Sequence, residues 1–457
     1  MKKRELKTQA DRIKATKENN DKYIRILSDM VNCKTVFTRE GTNDSEYEKF
    51  YSVLEQSFPN LTEKAERLTF GDGCFCYIIN GKDAKKNIML MSHHDVVDGD
   101  DEWKTDPFVA EIVGDSLFGR GTIDTKTPLF AELQAAEELL AENYDFNGIN
   151  LYIASSHNEE VCGDGAVLMA EHFKKNNTFF DVILDEGGAI TEGMIPTVSA
   201  KSAVVAVHEK SRHLYKCTTK QETKGHGGLN PTTDNAIVRL AKFISAVDKA
   251  KIYKGKFYPE VKATFSNHVP FMKFPMNILF GNIGLFAPLL KKAMLSIPTT
   301  NAMLSTSISF TTIFAGSKED PQMKAKEAYT TMFLRCIRED DLFRGLEKIK
   351  EIGKKFGVEI EEIERDYCKP TDFTKRPYKI LEECLNENFP DVIVAPFLLT
   401  AGTDARRFTD IADSILRFAP IDLDSKQFAS IHAANEHIKI ENVGECVEFY
   451  KKFIKKI

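Results

Sequence analysis

A chain of 457 residues, 42% apolar and 28% charged, has the balance of an ordinary globular protein, which excludes disorder, collagen-like repeats and a small disulfide scaffold. The 62 Lys and Arg against 68 Asp and Glu leave a formal charge of −6, so there is no chain-wide basic footprint for nucleic acid. Nine cysteines, odd in number, scattered and never spaced CxxC, argue against a secreted disulfide framework and a zinc finger. Residues 1–20 are charged throughout and carry no apolar core segment, so they do not read as a signal peptide, and the expected compartment is the reducing cytoplasm.

Residues 14–31 are predicted to be helical, because Ile24, Leu27, Met30 and Val31 share one face. A short strand pair follows around 74–79, then a mostly apolar strand over 87–91. Residues 127–142 return to helix, with Thr127 as cap, Pro128 in the first turn, and Leu129, Leu133, Ala136 and Leu140 on one face. Strands at 149–154 and 182–184 complete an alternation of apolar strands and amphipathic helices, which predicts an α/β fold with a mostly parallel sheet covered on both faces.

The middle differs. Strands at 214–219, 307–314, 328–337 and 358–363, with helices at 234–247 and 341–356, give a β-α-β-β-α-β order and predict an inserted α+β ferredoxin-like unit. The expected division is a first domain of residues 1–209 and 367–457 interrupted by 210–366. Residues 274–290 are uncharged and mostly apolar, but 17 residues with two Asn, two Gly and two Pro fall short of the ~20 that a membrane span needs. A buried helical hairpin or a partner-binding surface is the expectation there, without a membrane span.

Chemistry concentrates where strands end. The strand at 87–91 runs into Ser92-His93-His94-Asp95, a position where open α/β sheets bind ligands. A His two residues before an Asp suits a metal site, with the carboxylate fixing the imidazole tautomer. Asp124 stands just before the helix at 127, the strand at 149–154 leads to Asn158-Glu159-Glu160, and the strand at 182–184 leads to Asp185-Glu186-Gly187-Gly188. Each pair alone reads as a solvated loop. Together, three strand ends crowd carboxylates on one sheet edge, and their repulsion calls for a cation. Thr403-Asp404-Ala405-Arg406 and the segment 430–436, with His432, follow near the C-terminus.

The segments 93–97, 103–108, 119–126, 159–160, 185–188, 225–227, 402–406 and 432–436 occur in an order that resembles the di-zinc metallopeptidase family of carboxypeptidase S, aminoacylase and succinyl-diaminopimelate desuccinylase. The likeness spans roughly 85–440 and is nearest the carboxypeptidase S branch, through Leu184-Asp185-Glu186-Gly187-Gly188 and the long middle insertion. It implies two zinc ions, with manganese or cobalt as possible substitutes. By that likeness His93 binds one ion, Asp124 bridges, Glu160 and His432 serve the other, and Glu186 or alternatively Asp185 completes the first.

The resemblance further implies Asp95 orienting His93, Glu159 as general base, and His226 reaching a partner subunit's site in a homodimer built on the inserted lid domain. Arg406 and Arg335 are candidates for gripping a substrate carboxylate, or equally for structural ion pairs. Asn158, Gly227-Gly228, Asp320 and Met323 depart from the family's usual residues; none is a ligand or the base, so they bear on substrate choice and lid contacts. The expected activity is hydrolysis of an amide bond next to a free carboxylate in short peptides, of dipeptidase or carboxypeptidase type. The alternatives are an N-acyl-amino-acid deacylase and, from another class, a non-catalytic peptide or amino-acid binding protein.

Overall fold

The computed structural model describes residues 5–99, 102–195, 197–221, 226 and 235–457. A sheet of ten strands forms its centre. Strand Lys86–His93 lies in the middle, parallel to Ile149–Ser156 on one side and to Phe180–Asp185 on the other. Ala412–Arg417 continues the parallel run beyond Phe180–Asp185, whereas Cys74–Asn80 and Glu66–Phe70 close the opposite edge antiparallel. Strand Ile393–Leu399 pairs parallel with Ser202–Glu209.

Both faces of the sheet are covered, which is why its central strands are apolar at successive positions rather than alternating. Along Lys86–His93, Ile88 and Leu90 join a core with Leu27, Phe130 and Phe449, while Met89 and Met91 join one with Met169 and Phe173 on the other face. This matches the expected mostly parallel α/β architecture.

Local differences have physical causes. The first helix begins at Lys17, where Thr16 accepts a hydrogen bond from the Asn19 amide. The strand over 74–80 pairs with 66–70, a strand that sequence reading did not resolve because Glu66 and Arg67 break its apolar pattern. The helix expected from 127 spans Lys126–Ala141 after Thr125, and the Thr127 hydroxyl donates to Thr122 O instead of capping. That helix is buried on nearly every side, so it carries no polar face.

A second, antiparallel sheet has the order Ser307–Ala315, Glu327–Cys336, Ser211–Lys220, Val358–Asp366, the strand order of a ferredoxin-like unit. Helices Ala236–Ala250 and Glu339–Phe356 pack on one face through Leu240, Phe243, Leu346 and Ile349. Within the same stretch of chain, residues 259–304 behave differently and pack on the first sheet. The Thr264 hydroxyl donates to Pro396 O (2.6 Å) and the Asn267 amide to Val394 O (3.0 Å), satisfying carbonyls of strand Ile393–Leu399. The expected buried hairpin over 274–290 is corrected: helices Met276–Gly281 and Ile283–Leu295 leave one apolar side open, with Phe274 78% and Leu285 76% exposed.

Candidate metal centre

The parallel register of Lys86–His93, Ile149–Ser156 and Phe180–Asp185 brings their C-terminal ends to one sheet edge, as the sequence pattern requires. His93 ends the first, Glu159 and Glu160 follow the second, and Glu186 follows the third. Asp124 enters from the turn before helix Lys126–Ala141, across a cis Asp124–Thr125 peptide bond. His432 comes from the turn after helix Ser425–Ser430 with φ of 58°, left-handed backbone that costs a non-glycine residue about 1 kcal/mol or more.

Asp124 is the hub. Its Oδ1 lies 2.9 Å from Nε2 of His93 and its Oδ2 lies 3.1 Å from Nε2 of His432. The same His432 nitrogen is 3.0 Å from Oε2 of Glu160. Ligating atoms of His93, Asp124 and Glu160 all lie within 4.8 Å of one another. Asp95 supports two of these groups. Its carbonyl oxygen faces His93 Nδ1 at 2.9 Å, and its carboxylate accepts from the amides of Glu159 (3.1 Å) and Glu160 (3.0 Å). Asp95 thus holds the imidazole chiefly through its backbone carbonyl, with its carboxylate 3.4 Å from the same nitrogen, while that carboxylate fixes the turn that carries the paired glutamates.

The electrostatics are those of an acid-rich pocket. Burial pushes the carboxyls of Glu159, Glu160 and Glu186 upward, and neighbouring carboxylates add to the shift: Asp404 for Glu159, Asp124 for Glu160, and Asp185 then Asp124 for Glu186. Asp124 goes the other way. Its burial opposes ionisation, but hydrogen bonds from His432 and His93 hold its carboxyl below the usual range. Oε1 of Glu160 is buried without a hydrogen-bond partner. Crowded carboxylates, two imidazoles and an orphaned carboxylate oxygen are the donor set of a hard or borderline divalent cation.

Asp185 and Glu186 are separated by geometry. Neighbouring residues at a strand end point to opposite sides, and Asp185 turns away from the cleft. Its Oδ1 accepts from the Glu186 amide and its Oδ2 from the Ala405 amide, each at 2.9 Å, while Glu186 lines the cleft.

The cleft beside the cluster has a volume of about 420 Å³. Asp124, Glu159, Glu160, Glu186 and His432 form one end, and Met194, Phe397, Leu399, Ile421 and Phe428 form an apolar wall. Gly188 sits against that wall because a Cβ there would stand 2.3 Å from Val204 O.

The remaining expected residues lie outside this constellation. Arg406 is 5% exposed, with its Nε 2.6 Å from Asp366 Oδ2; burial lowers its pKa, but Glu209 and Asp366 outweigh that and hold it above the ordinary value. Of the two roles open to it, the structural ion pair is the one observed. Arg335 donates to the carbonyl of Thr400, a residue of the cleft rim, and so approaches the site from the second sheet. His226 lies 2.6 Å from Gln322 Oε1, away from the cleft of its own chain, and Gly227-Gly228 lie outside the described residues.

Two residues that matter here stood in noted segments but were given no role by the sequence. Glu436 accepts from the amides of Gly121, Ile123 and Asp124 and from Arg120 Nη1, so it clamps the turn that presents Asp124. Asp404 is buried beside Glu159 and accepts from the Ser156 hydroxyl at 2.6 Å. The segments containing them stood out as motifs, but nothing in the chain order shows that Glu436 meets Asp124.

Comparison with known proteins identifies the family of the chain. Residues 89–456 match the model of peptidase family M20/M25/M40. An N-fatty-acyl-amino acid synthase/hydrolase of Mus musculus is 28% identical over 428 residues, covering 92% of this chain and 84% of that protein. The Dictyostelium discoideum protein named probable carboxypeptidase S-like 1 is 29% identical over 432 residues, with 92% and 84% covered. The M20 family metallo-carboxypeptidase Sso-CP2 from Sulfolobus solfataricus superposes with a TM-score of 0.67 at 21% identity, over 95% of this chain and 98% of that one.

Proposed function

Because the chain belongs to peptidase family M20/M25/M40, we propose that it is a di-zinc hydrolase that cleaves an amide bond next to a free carboxylate in short peptides. Asp124 carries this reading: a different histidine approaches each of its carboxylate oxygens, the arrangement a bridging ligand needs. In this reading His93, Asp124 and Glu186 hold one ion, and Asp124, Glu160 and His432 hold the other. When bound, the ions polarise the scissile carbonyl and lower the pKa of water, with manganese or cobalt able to serve in place of zinc.

The chain's own residues do the rest. Glu159, which forms no ion pair with either histidine, takes a proton from the attacking water and returns it to the leaving nitrogen. Its upward-shifted carboxyl supports that task, since a base tuned towards neutrality both accepts and donates. Asp95 keeps Glu159 and Glu160 in register through their amides. Arg335, at the Thr400 rim, is placed to grip the substrate carboxylate with its planar fork, whereas Arg406 is committed to Asp366. Within residues 210–366, the second sheet and its two helices act as a lid, and His226 serves a second subunit's cleft in a homodimer. Nine free cysteines, eight of them buried, support a cytoplasmic location.

One observation favours a second substrate class. The wall of Met194, Phe397, Leu399 and Phe428 offers an acyl chain an apolar bed beside the cluster, so N-acyl amino acids are the alternative substrates. The test is hydrolysis of a panel of dipeptides and N-acyl amino acids by protein loaded with zinc, manganese or cobalt. Turnover of substrates with a free carboxylate, and loss of turnover when it is amidated, is the expected result. No hydrolysis of any member would favour a non-catalytic binding protein.

A further inference from the structure

The segment over 261–318 holds five lysines and not one Asp or Glu, in a chain whose formal charge is −6. Its longest helix, Ile283–Leu295, is apolar on two sides. Ile283, Leu290 and Met294 face inward, in a core with Phe265 and Phe280. Leu285 and Leu289, one turn apart on the other side, are 76% and 58% exposed, and Lys292 continues their row. Phe274 and Ile278 extend the open surface from the neighbouring turn and helix. A helix apolar all round needs a second apolar medium, and none of the described protein covers this side.

The cationic rim is equally unpartnered. Among the described residues, Lys262, Lys273, Lys291 and Lys292 make no ion pair, whereas the nearby Lys256 is bound to Asp341 and the nearby Glu260 to Arg338. Lys262 and Lys291 flank a groove of about 330 Å³ between helices Pro259–His268 and Ile283–Leu295, floored by Ile283, Ala287 and Pro288. Such a groove fits an anionic headgroup, with the exposed leucines alongside at acyl depth. No described helix is long and apolar enough to cross a membrane.

We infer that this insertion is an interfacial anchor, which lays Phe274, Leu285 and Leu289 into the surface of an anionic lipid bilayer while its lysines contact the headgroups. Apolar burial alone would bind weakly, and the lysines supply the second signal that stable peripheral attachment requires. The core beneath the anchor also contains Met194 and Phe397, two residues of the cleft wall, so the lipid-facing surface and the cleft share one apolar body.

Sedimentation of the full chain with vesicles tests this. The expected result is binding to phosphatidylcholine vesicles containing about one-third phosphatidylserine, weak binding to pure phosphatidylcholine, and loss of binding in high salt. Leu285→Asp with Leu289→Asp is expected to abolish sedimentation without changing the melting temperature or the metal content. Should that variant misfold, Lys291→Glu with Lys292→Glu is expected to weaken binding at least about tenfold. Absence of binding to the phosphatidylserine vesicles, or binding that survives both variants, would overturn the inference. So would a wild-type dimer that ignores vesicles and that the leucine variant splits, because the surface would then belong to a second copy of the chain.

Discussion

Glu436 grips the backbone of Asp124: its Oε1 lies 3.1 Å from the Asp124 amide and 2.7 Å from that of Ile123, while Oε2 receives Arg120 and Gly121. The hub of the site is therefore positioned by a carboxylate more than three hundred residues further along the chain. Glu436 is fully buried and Arg120 nearly so. Removing the acid in Glu436→Ala strands a buried guanidinium, and a loss of about 3–5 kcal/mol in urea unfolding is expected. Glu436→Gln keeps an acceptor for the amides and should weaken metal retention by about 10–100-fold with a smaller stability loss.

Glu159 and Glu160 are neighbours with different tasks in this account. Glu159→Gln should keep bound metal and lower kcat by about 10²–10⁴. Glu160→Gln and His432→Ala should lower metal content first. Parallel measurement of turnover and metal content separates the two, and equal metal loss in all three variants would remove Glu159 from the role of base.

Metal uptake should release protons. Hydrogen bonds from the His432 imidazole to Asp124 and Glu160 raise its pKa to about 10 against the opposing effect of burial. Burial lowers that of His93, but Asp124 and Asp95 outweigh it and hold it well above the ordinary value. Each imidazole must be neutral to bind a cation, so calorimetry in buffers of different ionisation enthalpy should register about one to two protons released near pH 7. Apparent affinity should rise about tenfold per pH unit for each proton. In chelator the sign reverses: the stability contributed by protonated His432 is complete below its ordinary pKa of 6.5 and is lost as pH rises through about 10.

Gly188 allows the cleft wall to close on the sheet. A methyl group there would meet Val204 O at 2.3 Å and Arg417 O at 2.6 Å, both backbone atoms that cannot swing aside. Gly188→Ala should cost about 1–3 kcal/mol in thermal or urea unfolding and depress turnover along with it.

The sequence makes one half of the site legible and hides the other. His93, Glu159 and Glu186 end adjacent parallel strands, and apolar runs followed at once by acids or His announce such ends in any α/β sheet. The choice between Asp185 and Glu186 is hidden, because the Ala405 amide that turns Asp185 away belongs to a turn over two hundred residues downstream. Glu436 is hidden for the same reason. The insertion is legible as apolar but not as exposed: composition reports what a segment contains, and only packing reports which side stays open. Helix Lys126–Ala141 shows the converse: Lys126, Glu132 and Glu137 are charged in the sequence, yet all three are buried.

The most direct test of the central claim is anomalous diffraction from zinc-loaded crystals. Two peaks sharing Asp124 are expected, one beside His93 and Glu186 and the other beside Glu160 and His432. A single ion, or zinc held elsewhere with this cluster empty, would contradict it.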